Sequence, residues 1–84
     1  MQNLNNLLSL CYKYKEGEFD IEEFQSRVMT AKIPEKLSKE FIETLVDIDN
    51  KLEKIIFCSA PEKVEEDGRM VADILIAAIK KERR

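Results

Sequence analysis

The side chains that could do chemistry in this chain are carboxylates. Glu62, Glu65 and Glu66 recur at i, i+3 and i+4, so a helix would carry them on one face. Three carboxylates so spaced could attract a divalent cation, but no ligand loop of the EF-hand kind follows them. Proton transfer near neutral pH lacks its usual agent, because the 84 residues include no histidine. No serine, threonine or cysteine has a base beside it in a spacing that would activate a nucleophile. Glu22 and Glu23 are adjacent and would point to different sides of a helix. The expectation is therefore a protein that is not an enzyme and uses no metal or cofactor, and whose acids act through their charge.

Two acidic groups stand out. The first is Glu16-Gly17-Glu18-Phe19-Asp20-Ile21-Glu22-Glu23. The second is Glu62, Glu65, Glu66 and Asp67, preceded by Asp49 and Glu53 and diluted by Lys54 and Lys63. Each has a structural reading, as a helix start favoured by the macrodipole or as a solvated face. Each also has a functional one. Carboxylates spread over a surface can stand where a nuclease expects phosphates, and complementary charge speeds association and selects the partner. On that reading the partner-binding candidates are Glu16, Glu18, Glu22, Glu53, Glu62, Glu65, Glu66 and Asp67. The net charge is −3, but residues 16–67 hold fifteen acids and seven bases, a local net of −8. An acidic middle disfavours direct contact with nucleic acid and favours a basic protein. The basic tail Lys80-Lys81-Glu82-Arg83-Arg84 complements a helix C-terminus.

Four elements must position these acids. Leu4, Leu7, Leu8, Cys11 and Tyr14 share a helical face, predicting a first helix over 4–15 with Asn3 or Asn5 as cap and Gly17 just past its end. Asp20 is the clearest N-cap in the chain. Glu23 can complete a capping box with it, and Phe19 and Phe24 fall where a hydrophobic staple sits. The second helix then runs from 21 to about 32, with Ile21, Phe24, Val28 and Ala31 inward and Pro34 as its stop. The third opens near Pro34 or Glu35, or later if Ser38 caps it, and stops near 57–59. Its stripe is Leu37, Phe41, Leu45, Ile48, Leu52 and Ile55, widened by Ile42, Val46 and Ile56. For the last segment, the seam Val64, Gly68, Val71, Leu75, Ala78 favours one helix opened by Pro61 and continuing to about 82. The alternative is an Asp67-Gly68 loop with a helix from Arg69.

Amphipathic segments on short links make an all-α, small antiparallel four-helix bundle, one domain over residues 1–84. Cys11 and Cys58 lie among apolar residues without metal-ligand spacing, as buried reduced thiols of a cytoplasmic protein would. With no basic residue before an apolar run in its first residues, the expectation is that no signal peptide opens the chain, and the apolar run over 74–79 is far too short to span a membrane. Met70, Ile74, Ile76, Ala77 and Ile79 exceed what one helical face needs; they are either core or a homodimer seam.

The segment around Asp20 also resembles a known family. Phe19, Glu23, Phe24, Arg27 and Val28 are similar to an "I-x-x-x-E-F-x-x-R-hydrophobic" segment of colicin D-type immunity proteins. Leu45, Ile48, Leu52 and Phe57, then Glu65-Glu66-Asp67-Gly68, then Val71 and Leu75 resemble that family's third helix, acidic connection and last helix. Phe57-Cys58-Ser59-Ala60 departs from it, being apolar and small where the family tends to be charged. The resemblance implies a small acidic helical protein that blocks the active site of a bacterial tRNA-cleaving toxin domain, with relatives guarding against contact-delivered toxins. Glu65, Glu66 and Asp67 are the residues it carries over most directly, and Glu53 more loosely. The expected function is thus an immunity protein, monomeric in its complex with a basic nuclease domain. Exposed aromatics such as Tyr12 or Tyr14 are the expected anchors. A homodimeric helical adaptor with no inhibitory role is the alternative.

Overall fold

Leu7, Cys11 and Tyr14 point inward from one helix, and their fit against a later one decides how the chain closes. The computed structural model describes residues 4–31 and 37–82. These form four helices: α1 Asn5–Lys15, α2 Ile21–Thr30, α3 Lys39–Cys58 and α4 Pro61–Glu82. Helix α4 packs against both α1 and α3, while α2 lies between α1 and α3 and only touches α4. The result is an all-α antiparallel bundle.

Local chemistry sets each boundary. Helix α1 starts after Leu4, which offers no side-chain cap, and Asn5 is already helical; Asn3 lies outside the described residues. The same helix ends in a Schellman motif. Gly17 N–H donates to the Tyr14 carbonyl and Glu18 N–H to that of Lys13, with Gly17 at a φ of 87° that a side chain would resist. The Asp20 carboxylate caps α2 by accepting from Glu23 N–H at 2.9 Å. The reciprocal half of the capping box is not made, because the Glu23 carboxylate turns instead to Arg27, one turn on, at 2.8 Å. Helix α2 stops at Thr30, with Ala31 extended; the expected stop at Pro34 lies outside the described residues. Helix α3 starts at Lys39, later than an opening at Pro34 or Glu35. Ser38 is extended, and its hydroxyl accepts from Phe41 N–H at 3.1 Å. Pro61 opens α4, which runs through Asp67 and Gly68 without a break.

The buried core is one cluster. It runs from Leu4, Leu7, Cys11 and Tyr14 through Ile21 and Phe24, then Phe41, Ile48 and Leu52, to Val71, Ala72, Leu75, Ile76 and Ile79. The Tyr14 and Phe24 rings stack with centroids 4.4 Å apart and planes within 3°. Phe19 extends the stack on the outside, and the Arg27 guanidinium covers its ring at 4.9 Å. Beneath Tyr14 lies Gly68. A Cβ there would stand 2.0 Å from the Tyr14 hydroxyl oxygen, so only glycine lets α1 and α4 approach this closely. This contact is why a glycine sits in the interior of α4, where it costs about 1 kcal/mol in helix propensity.

Two parts of the expected core are exposed. Ile42 and Val46 of α3 do not widen the buried stripe but lie on its solvent flank. Of the surplus apolar group on α4, Ile76 and Ile79 are buried, whereas Met70, Ile74 and Ala77 are exposed.

Candidate functional site

The position of the acids follows from chain direction. Tyr14, at the end of α1, meets Gly68, two turns into α4. The α1–α2 link and the short α3–α4 link at Ser59 and Ala60 therefore lie at the same end of the antiparallel bundle. Both acidic groups belong to that end. Glu16 and Glu18 sit on the α1–α2 link, Glu22 on the first turn of α2, Glu53 on the last two turns of α3, and Glu62, Glu65 and Glu66 on the first turns of α4; all seven are exposed.

Asp67 differs from them. It is half-buried, and its carboxylate accepts a hydrogen bond from the Ser59 hydroxyl at 3.1 Å. It ties the link to the second turn of α4. The run Glu65-Glu66-Asp67-Gly68 is helical, so it is not the acidic connection that the family resemblance implied; the connection is Ser59-Ala60. Asp49, which precedes the second group in sequence, faces α2, where the Gln25 amide donates to it at 3.2 Å.

Among the described residues, Glu16, Glu18, Glu22, Glu53, Glu62 and Glu66 form no ion pair, and Glu65 meets only Arg69, at 3.9 Å. An exposed pair at that separation neutralises little. Acids outnumber bases at this end, where Lys54, Lys63 and Arg69 stand among them. Burial raises the Tyr14 hydroxyl pKa; Glu65 adds to the rise, Arg69 opposes it, and Asp20 adds the least. No group of three His, Cys, Asp or Glu among the described residues is arranged to hold a metal ion. No helix of the described residues is long and apolar enough to cross a membrane.

The aromatic residues divide unexpectedly. Tyr14 is 4 % exposed and cannot serve as an outer anchor, while Tyr12 is partly open at 41 %. Among the described residues, the most exposed large apolar side chain is that of Phe57, at 79 %. It lies on the last turn of α3, one turn beyond Glu53, so the two share a face at the acidic end. The stripe rule contained this signal. Ile42, Val46, Glu53 and Phe57 are spaced by four, seven and four, a second stripe roughly a third of a turn round from Phe41, Leu45, Ile48 and Leu52.

Fold and site together define a helical bundle whose connection end is acidic and carries one bare phenyl ring. Comparison of the chain with family models, with curated proteins and with solved structures gives no match.

Proposed function

We propose that this protein is an immunity-type inhibitor that binds a basic toxin nuclease domain through the connection end of its bundle. The carboxylates of Glu16, Glu18, Glu22, Glu53, Glu62 and Glu65 stand in for substrate phosphates, and Phe57 is the apolar anchor among them. One observation carries this reading: the most exposed large apolar side chain among the described residues lies on the same face as Glu53, at the end where unpaired acids gather. Binding energy at interfaces concentrates in a few aromatic anchors, while surrounding charge sets the on-rate and rejects wrong partners. The alternative, a homodimeric helical adaptor without inhibitory role, draws its support from another face, that of Met70 and Ile74.

The test begins with capture of the partner from native lysate by the tagged protein. The captured protein is then released at high salt and assayed for tRNA cleavage. The expected partner is stoichiometric, carries a basic domain, and loses its cleavage activity when wild-type protein is added back. Phe57→Ser should weaken that inhibition about a hundredfold, and Glu53→Lys with Glu62→Lys about tenfold or more, chiefly through a slower on-rate at low salt. Both variants should keep the helical circular dichroism and the melting temperature, because the altered side chains are exposed. A partner that cleaves no RNA, or one bound equally well by both variants, would remove the acidic end from this role.

A further inference from the structure

A second apolar surface lies on the other side of α3 from Phe57. Between α3 and α4 runs an open groove of about 360 Å³, floored by Ile55 and Val71 and bordered by Cys58, Met70 and Ile74, with Lys51 and Lys54 along its α3 rim. Met70 is 61 % exposed and Ile74 43 %. Both continue onto the outer face of α4, where Glu66, Met70, Ile74, Ala77 and Lys81 are exposed in that order; Lys63 and Asp73 are exposed on the same face, Asp73 paired with Lys15 of α1. Its flank toward α3 is apolar at Met70 and Ile74, with Glu66 before them and Lys81 after them. Neither Glu66 nor Lys81 forms an ion pair among the described residues.

That order is self-complementary. A second α4 laid antiparallel, with the two-fold axis beside Ile74, sets Glu66 opposite Lys81 of the other copy and Met70 opposite Ala77. The Glu66–Lys81 and Met70–Ala77 pairings share one midpoint, between Asp73 and Ile74, as a two-fold requires, and Asp73 at that point is paired with Lys15 of its own copy. Parallel pairing would set acid against acid and base against base, and would also align the helix dipoles unfavourably. Helix α4 has 22 residues and is therefore about 33 Å long, close to the 38 Å long axis of the molecule. A stable interface needs about 600 Å² from each copy, or roughly a tenth of the 5856 Å² surface. We infer that the outer face of α4 is a homodimer seam in which two copies pair antiparallel about Ile74. This surface is separate from the Phe57 and Glu53 face, so the inference does not depend on the inhibitor reading.

Sedimentation equilibrium of the full chain over a concentration series tests it. The expected mass is twice the monomer's 9.8 kDa at high concentration, falling to 9.8 kDa on dilution. Ile74→Glu should raise the dimer dissociation constant about a hundredfold or more while the helical signal stays, since it buries like charges at the axis. Glu66→Lys and Lys81→Glu should each weaken the dimer about three- to tenfold, and the two changes in one chain should restore it, because each new lysine then faces a new glutamate. Phe57→Ser should leave self-association unchanged. A mass of 9.8 kDa at every concentration, a dimer indifferent to Ile74→Glu, or a charge swap that fails to restore association would each overturn the seam.

Discussion

The two sides of α4 are built on opposite terms. Toward α1, the helix backbone itself is the contact surface: Tyr14 lies on Gly68, Lys15 pairs with Asp73, and Cys11 is fully enclosed. Toward α3, close packing gives way to an open groove in which Met70, Ile74 and Cys58 remain in reach of solvent. Close approach to α1 needed a glycine and left no room for variation. Apolar surface left uncovered on the other side is available for association. Polar links close the α3–α4 seam near its two ends, Ser38 with Glu82 at one and Ser59 with Asp67 at the other, without filling the space between.

The cysteines report this contrast most strongly. Cys58 opens into the groove, whereas Cys11 is 0 % exposed and burial pushes its thiol up to about 12, helped by Asp73 and opposed by Lys15. A thiol reagent should modify Cys58 at once and Cys11 only through unfolding. For a domain stabilised by about 0.05–0.15 kcal/mol per residue, the two rates should differ by roughly a thousandfold or more. Mass spectrometry of a timed labelling series measures the ratio, and comparable rates would mean that the α1 side opens as easily as the groove. The same group gives an alkaline limit. A thiol whose folded pKa is raised contributes its full share of stability below the ordinary value of 9.0, and loses it as pH rises from 9.0 toward 12. Cys11→Ser should remove that part of the alkaline unfolding.

Gly68→Ala attacks the close side directly. The new methyl would stand 2.0 Å from the Tyr14 hydroxyl oxygen and 3.0 Å from the ring carbon that bears it, and the ring is held by its stack on Phe24. Overpacking of this kind costs about 1–3 kcal/mol, and alanine recovers about 1 kcal/mol of helix propensity at most, so a net loss of up to about 2 kcal/mol is expected in denaturant unfolding. A stabilised variant would show that the two helices are not held at this distance.

Tyr14→Phe should act in the other direction. The Tyr14 hydroxyl is buried and has no hydrogen-bond partner among the described residues. Removing an unsatisfied buried hydroxyl while keeping the stacked ring should stabilise the protein by about 1 kcal/mol. It should also soften the Gly68→Ala defect, so that the double mutant is less damaged than the sum of the singles predicts. Additivity would show that the hydroxyl is not the point of contact.

These residues also mark where a sequence reading succeeds and where it stops. Asp20, Ser38 and Pro61 mark the starts of α2, α3 and α4 through local hydrogen bonding and fixed backbone geometry, though Pro34 or Glu35 competed with Ser38, while α1, which has no side-chain cap, was legible from its apolar face alone. The role of Gly68 was half legible. Periodicity carried the helix through it, but the tyrosine that requires it lies 54 positions away, and no local rule connects them. Stripe counting also misassigned Ile42 and Val46. A helix in a four-helix bundle is covered over only part of its circumference, and the sequence does not show where its neighbours stop. The acids were identified by type, yet their meeting at one end depends on chain direction. Phe57 was passed over because an apolar residue near a stripe is read as core until the third dimension puts it outside.

The smallest effect belongs to the polar link at the far end of the α3–α4 seam. Glu82 accepts from the Ser38 backbone N–H at 2.8 Å and from its hydroxyl at 2.7 Å, and these bonds hold its carboxyl below the ordinary 4.5. A depressed folded pKa means that the ionised form supports the fold. Its contribution is complete above pH 4.5 and disappears as pH falls through the lower folded value. Glu82→Gln should therefore leave acid unfolding less steep below pH 4.5 while lowering stability slightly at pH 7. Ser38→Ala should be the larger change of the two, about 1 kcal/mol, because it also removes the cap of α3. If both variants melt like the wild type at pH 7, the link is a surface contact without energetic weight, and the open groove on this side of α4 extends to the end of the helix.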